Sequence, residues 1–280
     1  MISSIDGIVL VDKARWMTSH DVVLKVRSTL GKGRALKVGH AGTLDPFATG
    51  LLIILLGQGT KLSPFLMRTD KRYRAVMELG VETDTLDPTG RVTRRSPVPE
   101  LNEEDVARVI RRFVGPIRQR PPAYSAVKHR GKRAYRLARQ GIRVNLPERS
   151  VEIYALSVLS VKPPNVTLEI HCSTGTYVRT LAEDLGRALG PGAHLKSLRR
   201  LSSGPFGVEE ALPIGNLQGE TPGALLEERI IPLRHALPEM GEIFVNDAVA
   251  AEIIFFHCLN DLNNRLDMLG NLTRRINHIS

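Results

Sequence analysis

The segment GHAGTLDPFATG, Gly39 to Gly50, sets a histidine, His40, and an acid, Asp45, on glycine-rich backbone just ahead of an apolar run. Groups that do chemistry concentrate on loops fixed to the end of a rigid sheet. Pro46 sets the chain direction immediately after the Asp45 carboxylate. A reactive aspartate must be ionised. Its ordinary pKa of about 3.9 allows that at neutral pH, and a neighbouring arginine would hold it so. An aspartate before proline is more often a turn or cap residue, so spacing alone does not single Asp45 out.

Other chemistries fail on detail. GKGRALKVGHAG, Gly31 to Gly42, does not fit the GxxxxGK[ST] phosphate loop, and no GxGxxG opens a helix there. His20, His40 and His171 are scattered without HxxxH spacing, so no metal site is expected. Ser19 and Ser125 lack the GxSxG setting of a nucleophilic serine. Cys172 and Cys258 are the only cysteines, which argues against a disulfide scaffold or structural zinc.

The elements that must carry these groups are legible from periodicity. Ile8 to Val11 reads as a strand. Thr18 or Ser19 caps a helix over Asp21 to Leu30, with Val22, Val23, Val26 and Leu30 on one face and Gly31 as its stop. Leu51 to Leu56 is a buried strand, after which Gly57 to Gly59 turns the chain. Tyr73 to Leu79 alternates as a strand, and Asn102 caps a helix bearing Val106, Val109, Ile110 and Phe113 that ends at Gly115–Pro116. A short helix is expected from Lys132 to Gln140. Val151 to Val161 and Val166 to Cys172 are strands. Gly175 turns into a helix ending near Gly190, with Val178, Leu181, Leu185 and Leu189 as its stripe. Strands and helices interleave without a βαβ beat, which implies an α+β fold with a mixed, mostly antiparallel sheet flanked by helices.

The 280 residues carry a formal net charge of +10, and a basic chain of this size suits a polyanionic partner. The charge is concentrated. Gly115 to Pro147 contains no Asp or Glu, yet holds Lys128, Arg130, Lys132, Arg133 and Arg136 among other cations, with Tyr124 and Tyr135 between them. Cations neutralise phosphates and aromatic faces stack on bases, which favours nucleic acid over a merely solvated basic helix. The N-terminus carries Asp6 and lacks the long apolar run of a secretion signal, and Leu51 to Leu56 is too short to cross a bilayer, so a cytoplasmic protein without membrane attachment is expected.

Several segments converge on one family. GHAGTLDPFATGLL (Gly39 to Leu52), DKRYRAVMELG (Asp70 to Gly80), TDTLDPTG (Thr83 to Gly90), PPAYSAVKHRGKRAYRLARQG (Pro121 to Gly141), STGTYVRTLAEDLG (Ser173 to Gly186) and AHLKSLRRL (Ala193 to Leu201) occur in the family's order. The chain resembles the bacterial TruB-type tRNA pseudouridine-55 synthases. That resemblance implies the pseudouridine synthase fold and isomerisation of one T-loop uridine without cofactor or metal. It matches Asp45 to the essential aspartate, acting at the ribose C1′, through a glycal, or at C6 of the uracil. It matches Tyr73 to the tyrosine that stacks on the uracil and takes the C5 proton, and Arg179 to the arginine paired with the aspartate. Tyr177 and Leu198 match residues lining the base pocket, His40 the histidine that fills the space of the extruded base, and Lys13 a supporting lysine. The basic stretch of about 115–147 matches an insertion that grips RNA through residues such as Lys128, Arg130, Lys132, Arg133 and Arg136.

The resemblance has gaps. The family reads DKPxGxTS near its start, whereas here Ala14 replaces the proline and Trp16 the glycine, which puts the turn and the support from Lys13 in question. The expected organisation is a catalytic domain over 1–238 and an atypical tail over 239–280, a truncated or degenerate form of the family's β-rich PUA domain. Ile243 to Ile253 could begin such a module, but Phe255 to Ser280 does not continue it. The partner implied is tRNA, bound through its T arm by a monomer that needs no protein partner. A tRNA folding helper on the same scaffold with turnover lost, and a guide-dependent synthase, are the competing readings. Asp45, Tyr73 and Arg179 together speak against the first, and the bacterial-style insertion against the second.

Overall fold

The chain is described by a computed structural model covering residues 5–31, 36–125, 127–129, 131–142, 144–218, 222–240 and 249. Contacts divide it into two units, 1–238 and 239–280, and of the second only Glu239, Met240 and Val249 are among the described residues. Apart from Val249, the possible PUA start at Ile243 to Ile253 lies outside them.

The chain runs β1 (Gly7–Lys13), α1 (Ser19–Leu30), β2 (Val38–Ala41), β3 (Thr49–Leu56), α2 (Ser63–Arg68) and β4 (Lys71–Leu79). The hairpin β5 (Val81–Thr83) and β6 (Val92–Arg95) and the helix α3 (Glu103–Ile110) precede β7 (Gly115–Gln119). A small hairpin, β8 (Lys128–His129) and β9 (Lys132–Arg133), runs directly into α4 (Ala134–Arg139). The long strands β10 (Arg149–Lys162) and β11 (Asn165–Cys172), the helix α5 (Val178–Leu189), β12 (Ala193–Ser203), β13 (Phe206–Gly207), β14 (Leu212–Pro213) and α6 (Pro222–Glu228) follow.

Among the described residues, one ten-stranded sheet has the order β14-β1-β3-β12-β4-β11-β10-β7, with β2 on β3 and β13 on β12. β1 pairs with β14, and β3 with β12, in parallel; the remaining neighbours are antiparallel. The mixed, mostly antiparallel sheet flanked by helices agrees with the sequence. No helix among the described residues is long and apolar enough to cross a membrane.

The unbroken apolar run of β3 is explained by its two covered faces. Leu52, Ile54 and Leu56 pack with Val9, Val11 and the α1 stripe, whereas Leu51, Ile53 and Leu55 pack with Ile8, Leu66 and Phe206. A leucine or isoleucine buried this completely contributes about 1.5–3 kcal/mol by leaving water, so this strand anchors whatever loop precedes it. On the other half of the sheet, Val166, Leu168, Ile170 and Cys172 alternate inward from β11 and meet Val178, Leu181 and Leu185 of α5. Thr18 and Asp21 form a reciprocal capping box that starts α1, and Asn102 and Asp105 do the same for α3.

One expected element differs. The helix foreseen from Lys132 begins at Ala134, because Lys132 and Arg133 pair back onto Lys128 and His129 first. The hairpin is pinned by the Ala134 N–H donating to the Val127 carbonyl, a contact that helical periodicity does not encode.

Candidate active site

The loop Gly42 to Ala48 enters β3 and is tethered on several sides. Ser19, at the start of α1, accepts from the Leu44 N–H at 2.9 Å and donates to the Leu44 carbonyl at 3.2 Å. Lys13 is fully buried at the end of β1, and its Nζ donates to the carbonyls of Ala14 (3.0 Å), Met17 (2.7 Å) and Pro46 (3.3 Å). The Trp16 N–H also donates to the Pro46 carbonyl, at 2.7 Å. The turn therefore forms without the family's proline and glycine, with Trp16 taking the glycine-like φ of +69°. Burial lowers the Lys13 pKa to about 8, against the pull of Asp45.

Asp45 projects from this loop onto Arg179, in the first turn of α5. Arg179 Nε lies 3.0 Å from Asp45 Oδ2, and its Nη2 donates to Oδ1 at 3.3 Å, a two-point pairing. The remaining guanidinium nitrogen, Nη1, donates to Asp87 Oδ2 at 3.3 Å and to the Thr85 carbonyl at 3.1 Å, while Nη2 also donates to the Tyr124 carbonyl at 2.9 Å. Every edge of the guanidinium is engaged, which fixes its plane and hence the direction of the Asp45 oxygens. Burial pushes the Asp45 carboxyl above the ordinary carboxylate value; Arg179 and Lys13 pull against this, and Asp87 adds to it.

Asp87 was not among the residues singled out from the sequence. It lies in TDTLDPTG, and its Oδ1 accepts from Thr85 Oγ1 (2.7 Å), the Thr89 N–H (2.9 Å) and Thr89 Oγ1 (2.5 Å). The preceding Leu86 sits at φ +63°, a strained value for a bulky residue, held by its turn bond to Thr83 and by the Leu195 N–H on its carbonyl. The signal that could have found it is the repeated tetrapeptide Thr43–Pro46 and Thr85–Pro88, both TLDP.

A cavity of about 720 Å³ opens beside Asp45, with Tyr73, Tyr177, Leu198, His40 and Arg200 on its walls. That volume suits one nucleotide-sized ligand. Tyr73 on β4 stands directly opposite Arg200 on β12, and the buried guanidinium donates to its phenol. Arg200 also donates to the carbonyls of Leu51 (2.6 Å) and Gly42 (3.1 Å). Burial raises the Tyr73 pKa, while the adjacent cation draws it back. Gly50, at φ +100°, lets the loop pass this strand: a Cβ there would lie 2.3 Å from the Arg200 carbonyl oxygen.

Tyr177 caps α5 without a side-chain capping bond, and its backbone is held by Gln119 of β7, which accepts from its N–H at 3.0 Å and donates to its carbonyl at 3.4 Å. Two buried polar atoms of the cavity residues, His40 Nδ1 and Ser125 Oγ, make no hydrogen bond among the described residues. Burial and Arg200 lower the His40 pKa, which keeps the imidazole neutral near pH 7. No group of His, Cys, Asp or Glu that could hold a metal ion occurs among the described residues.

The basic stretch is only partly as expected. Arg118 and Arg120, two further cations of the acid-free run, pair with Glu148 at 3.1 and 3.3 Å, just past its end. Lys132 and Arg136 are exposed. The backbone of Lys128 and Arg133 lies in the small hairpin, and Arg130 is outside the described residues.

Comparison with known proteins bears on this geometry. Residues 27–178 match the model of the TruB family pseudouridylate synthase N-terminal domain, and 179–238 match that of the tRNA pseudouridylate synthase B C-terminal domain. The tRNA pseudouridine synthase B of Syntrophotalea carbinolica is 49% identical over 75% of this chain and 67% of its own length. That of Geotalea uraniireducens is 44% identical over 89% of this chain and 79% of its own. Among solved structures, a chain of a Cbf5–Nop10–Gar1 complex superposes with a TM-score of 0.67 at 27% identity, over 89% of this chain and 67% of that one.

Proposed function

This chain belongs to the TruB family of pseudouridylate synthases, enzymes that isomerise uridine in tRNA, and we propose that its target is the T-loop uridine at position 55, with Asp45 as the essential carboxylate. The observation that carries the reading is the Asp45–Arg179 pair on the wall of a nucleotide-sized cavity that Tyr73 also lines.

In this reading the target nucleotide leaves its stack, at a cost of a few kcal/mol, and the uracil enters the cavity. Stacking on the Tyr73 ring recovers about 1–3 kcal/mol. Asp45, ionised and aimed by Arg179, starts the loss of the base from the sugar: the C1′–N1 bond breaks, the uracil turns, and a C1′–C5 bond forms. The Tyr73 phenol gives its proton to N1 and the phenolate so formed takes the proton from C5, so Tyr73 is restored and the net change is an isomerisation. Arg200 supports this step, since its buried cation stabilises the transient Tyr73 phenolate. His40 Nδ1 and Ser125 Oγ supply unspent hydrogen-bonding capacity for the nucleotide. Lys132 and Arg136, with the other cations of the insertion, meet the phosphates of the T arm. The protein acts as a monomer in the cytoplasm, on tRNA alone.

The test is release of tritium from tRNA labelled at C5 of uridine. Wild type should release it and Asp45→Asn should not; equal release from the two would overturn the reading.

A further inference from the structure

We propose that Arg15 and Trp16 form a stacking platform for a base of the substrate RNA, outside the cavity and next to the loop that carries Asp45. This rests on the reading that the substrate is an RNA loop, and adds a contact for a nucleotide flanking the extruded one.

Trp16 is 60% exposed, more than any other large hydrophobic side chain among the described residues. An indole gains most by burial, and here it forgoes that gain. Its backbone is also held at φ +69°, where a bulky residue is strained and glycine is at ease. Both the solvation and the conformational terms oppose a tryptophan at this position, so fold stability does not explain it.

The surroundings give it a use. The Arg15 guanidinium lies over the indole, 4.8 Å from the ring centroid. A cation beside an aromatic face is suited to single-stranded nucleic acid: the charge attracts phosphate and the ring stacks on a base. The backbone that carries the indole is also held in place relative to Asp45. The Trp16 main-chain N–H is bonded to the carbonyl of Pro46, the residue after Asp45, and Lys13 ties Ala14, Met17 and Pro46 together, so the turn and the loop form one body. Thr18, Ser19 and His20, which follow after Met17, line the cavity. A loop that gives up one nucleotide to that cavity brings its neighbours to this rim, and a chain of net charge +10 favours a polyanion there.

Trp16 is the only tryptophan in the sequence, so its fluorescence reports this site alone. Titrating the full chain with an unmodified tRNA transcript should quench the emission saturably, with the same midpoint as binding measured by filter retention. Trp16→Gly suits the backbone and should melt no lower than wild type, yet its Kd for the transcript should weaken about tenfold, the loss of one stacked base. Trp16→Phe should recover part of that loss. Unchanged emission on binding, together with Kd values for both variants within twofold of wild type, would overturn the platform while leaving the enzyme reading intact. If wild type neither binds nor isomerises the transcript, the enzyme reading fails and the platform with it.

Discussion

Asp45 and Asp87 share one guanidinium, that of Arg179, Asp45 through Nε and Nη2 and Asp87 through Nη1. The two acids are not equivalent. Asp87 is 6% exposed at its side chain and its Oδ1 accepts three hydrogen bonds, whereas Asp45 is 33% exposed at the cavity. One acid is held on every side and the other keeps an open side toward the cavity. The surplus negative charge of the trio also keeps Asp45 more basic than a lone aspartate–arginine pair would leave it.

Removing the anchor should therefore damage chemistry at a distance. Asp87→Ala leaves a buried arginine with half its compensation, and breaking a buried pair of this kind costs about 3–5 kcal/mol. Asp87→Asn keeps the shape and should be milder in melting temperature. Its kcat should still fall at least tenfold in single-turnover tritium release, because Arg179 no longer fixes the plane of the Asp45 carboxylate.

Asp45→Asn should abolish turnover without loss of stability. The Asp45 pKa in the fold is raised above its ordinary value of 3.8. Its contribution to stability is then fully present below that value and is lost as pH rises through the raised one. At neutral pH the ionised group is thus unfavourable to the fold, and thermal melts at pH 7 should place the variant at or above wild type. The same shift sets the acid limb of wild-type kcat/KM, which should fall with acid at a pH above 3.8.

Tyr73→Phe retains a ring for stacking but no proton acceptor. RNA affinity should stay within a few-fold of wild type while tritium release drops about 10²–10⁴-fold, the usual worth of a positioned general base.

Ser125→Ala separates binding from folding. The buried Oγ is unpartnered, so its removal should leave the melting temperature unchanged or raised. If the hydroxyl serves the nucleotide, KM should rise several-fold; an unchanged KM would remove Ser125 from the site.

Charge reversal should distinguish exposed cations from ion-paired ones. Lys132→Glu and Arg136→Glu should each weaken tRNA binding and lower the slope of log K against log salt by about one. Arg118→Glu should change that slope less, since Glu148 already offsets its charge.

The sequence disclosed what depends on neighbours along the chain. The Thr18–Asp21 box, the inward alternation of Val166 to Cys172 and the double-faced run Leu51 to Leu56 follow from local chemistry and periodicity. What it concealed depends on residues far apart. Ser19 reads as a helix cap, yet its hydroxyl latches Leu44, 25 residues away. Asp87 reads as a second Asp–Pro turn until α5 brings Arg179 beside it. Arg200 reads as one cation in a basic run, and only the pairing of β12 with β4 places it under Tyr73. The hairpin before α4 was missed for the same reason, because Val127 rather than helical spacing decides where the helix starts.

β4 and β12 lie side by side in the interior of the sheet, with β11 and β3 as their outer neighbours, and they carry Tyr73, Leu198 and Arg200. Amides in such strands exchange with solvent only when the whole domain opens, whereas loop amides exchange through small local fluctuations. Deuterium uptake should therefore leave the floor of the cavity protected long after its rim has exchanged. Any breathing that admits or releases a nucleotide is then confined to the rim, and the surface on which the base would turn keeps its shape throughout.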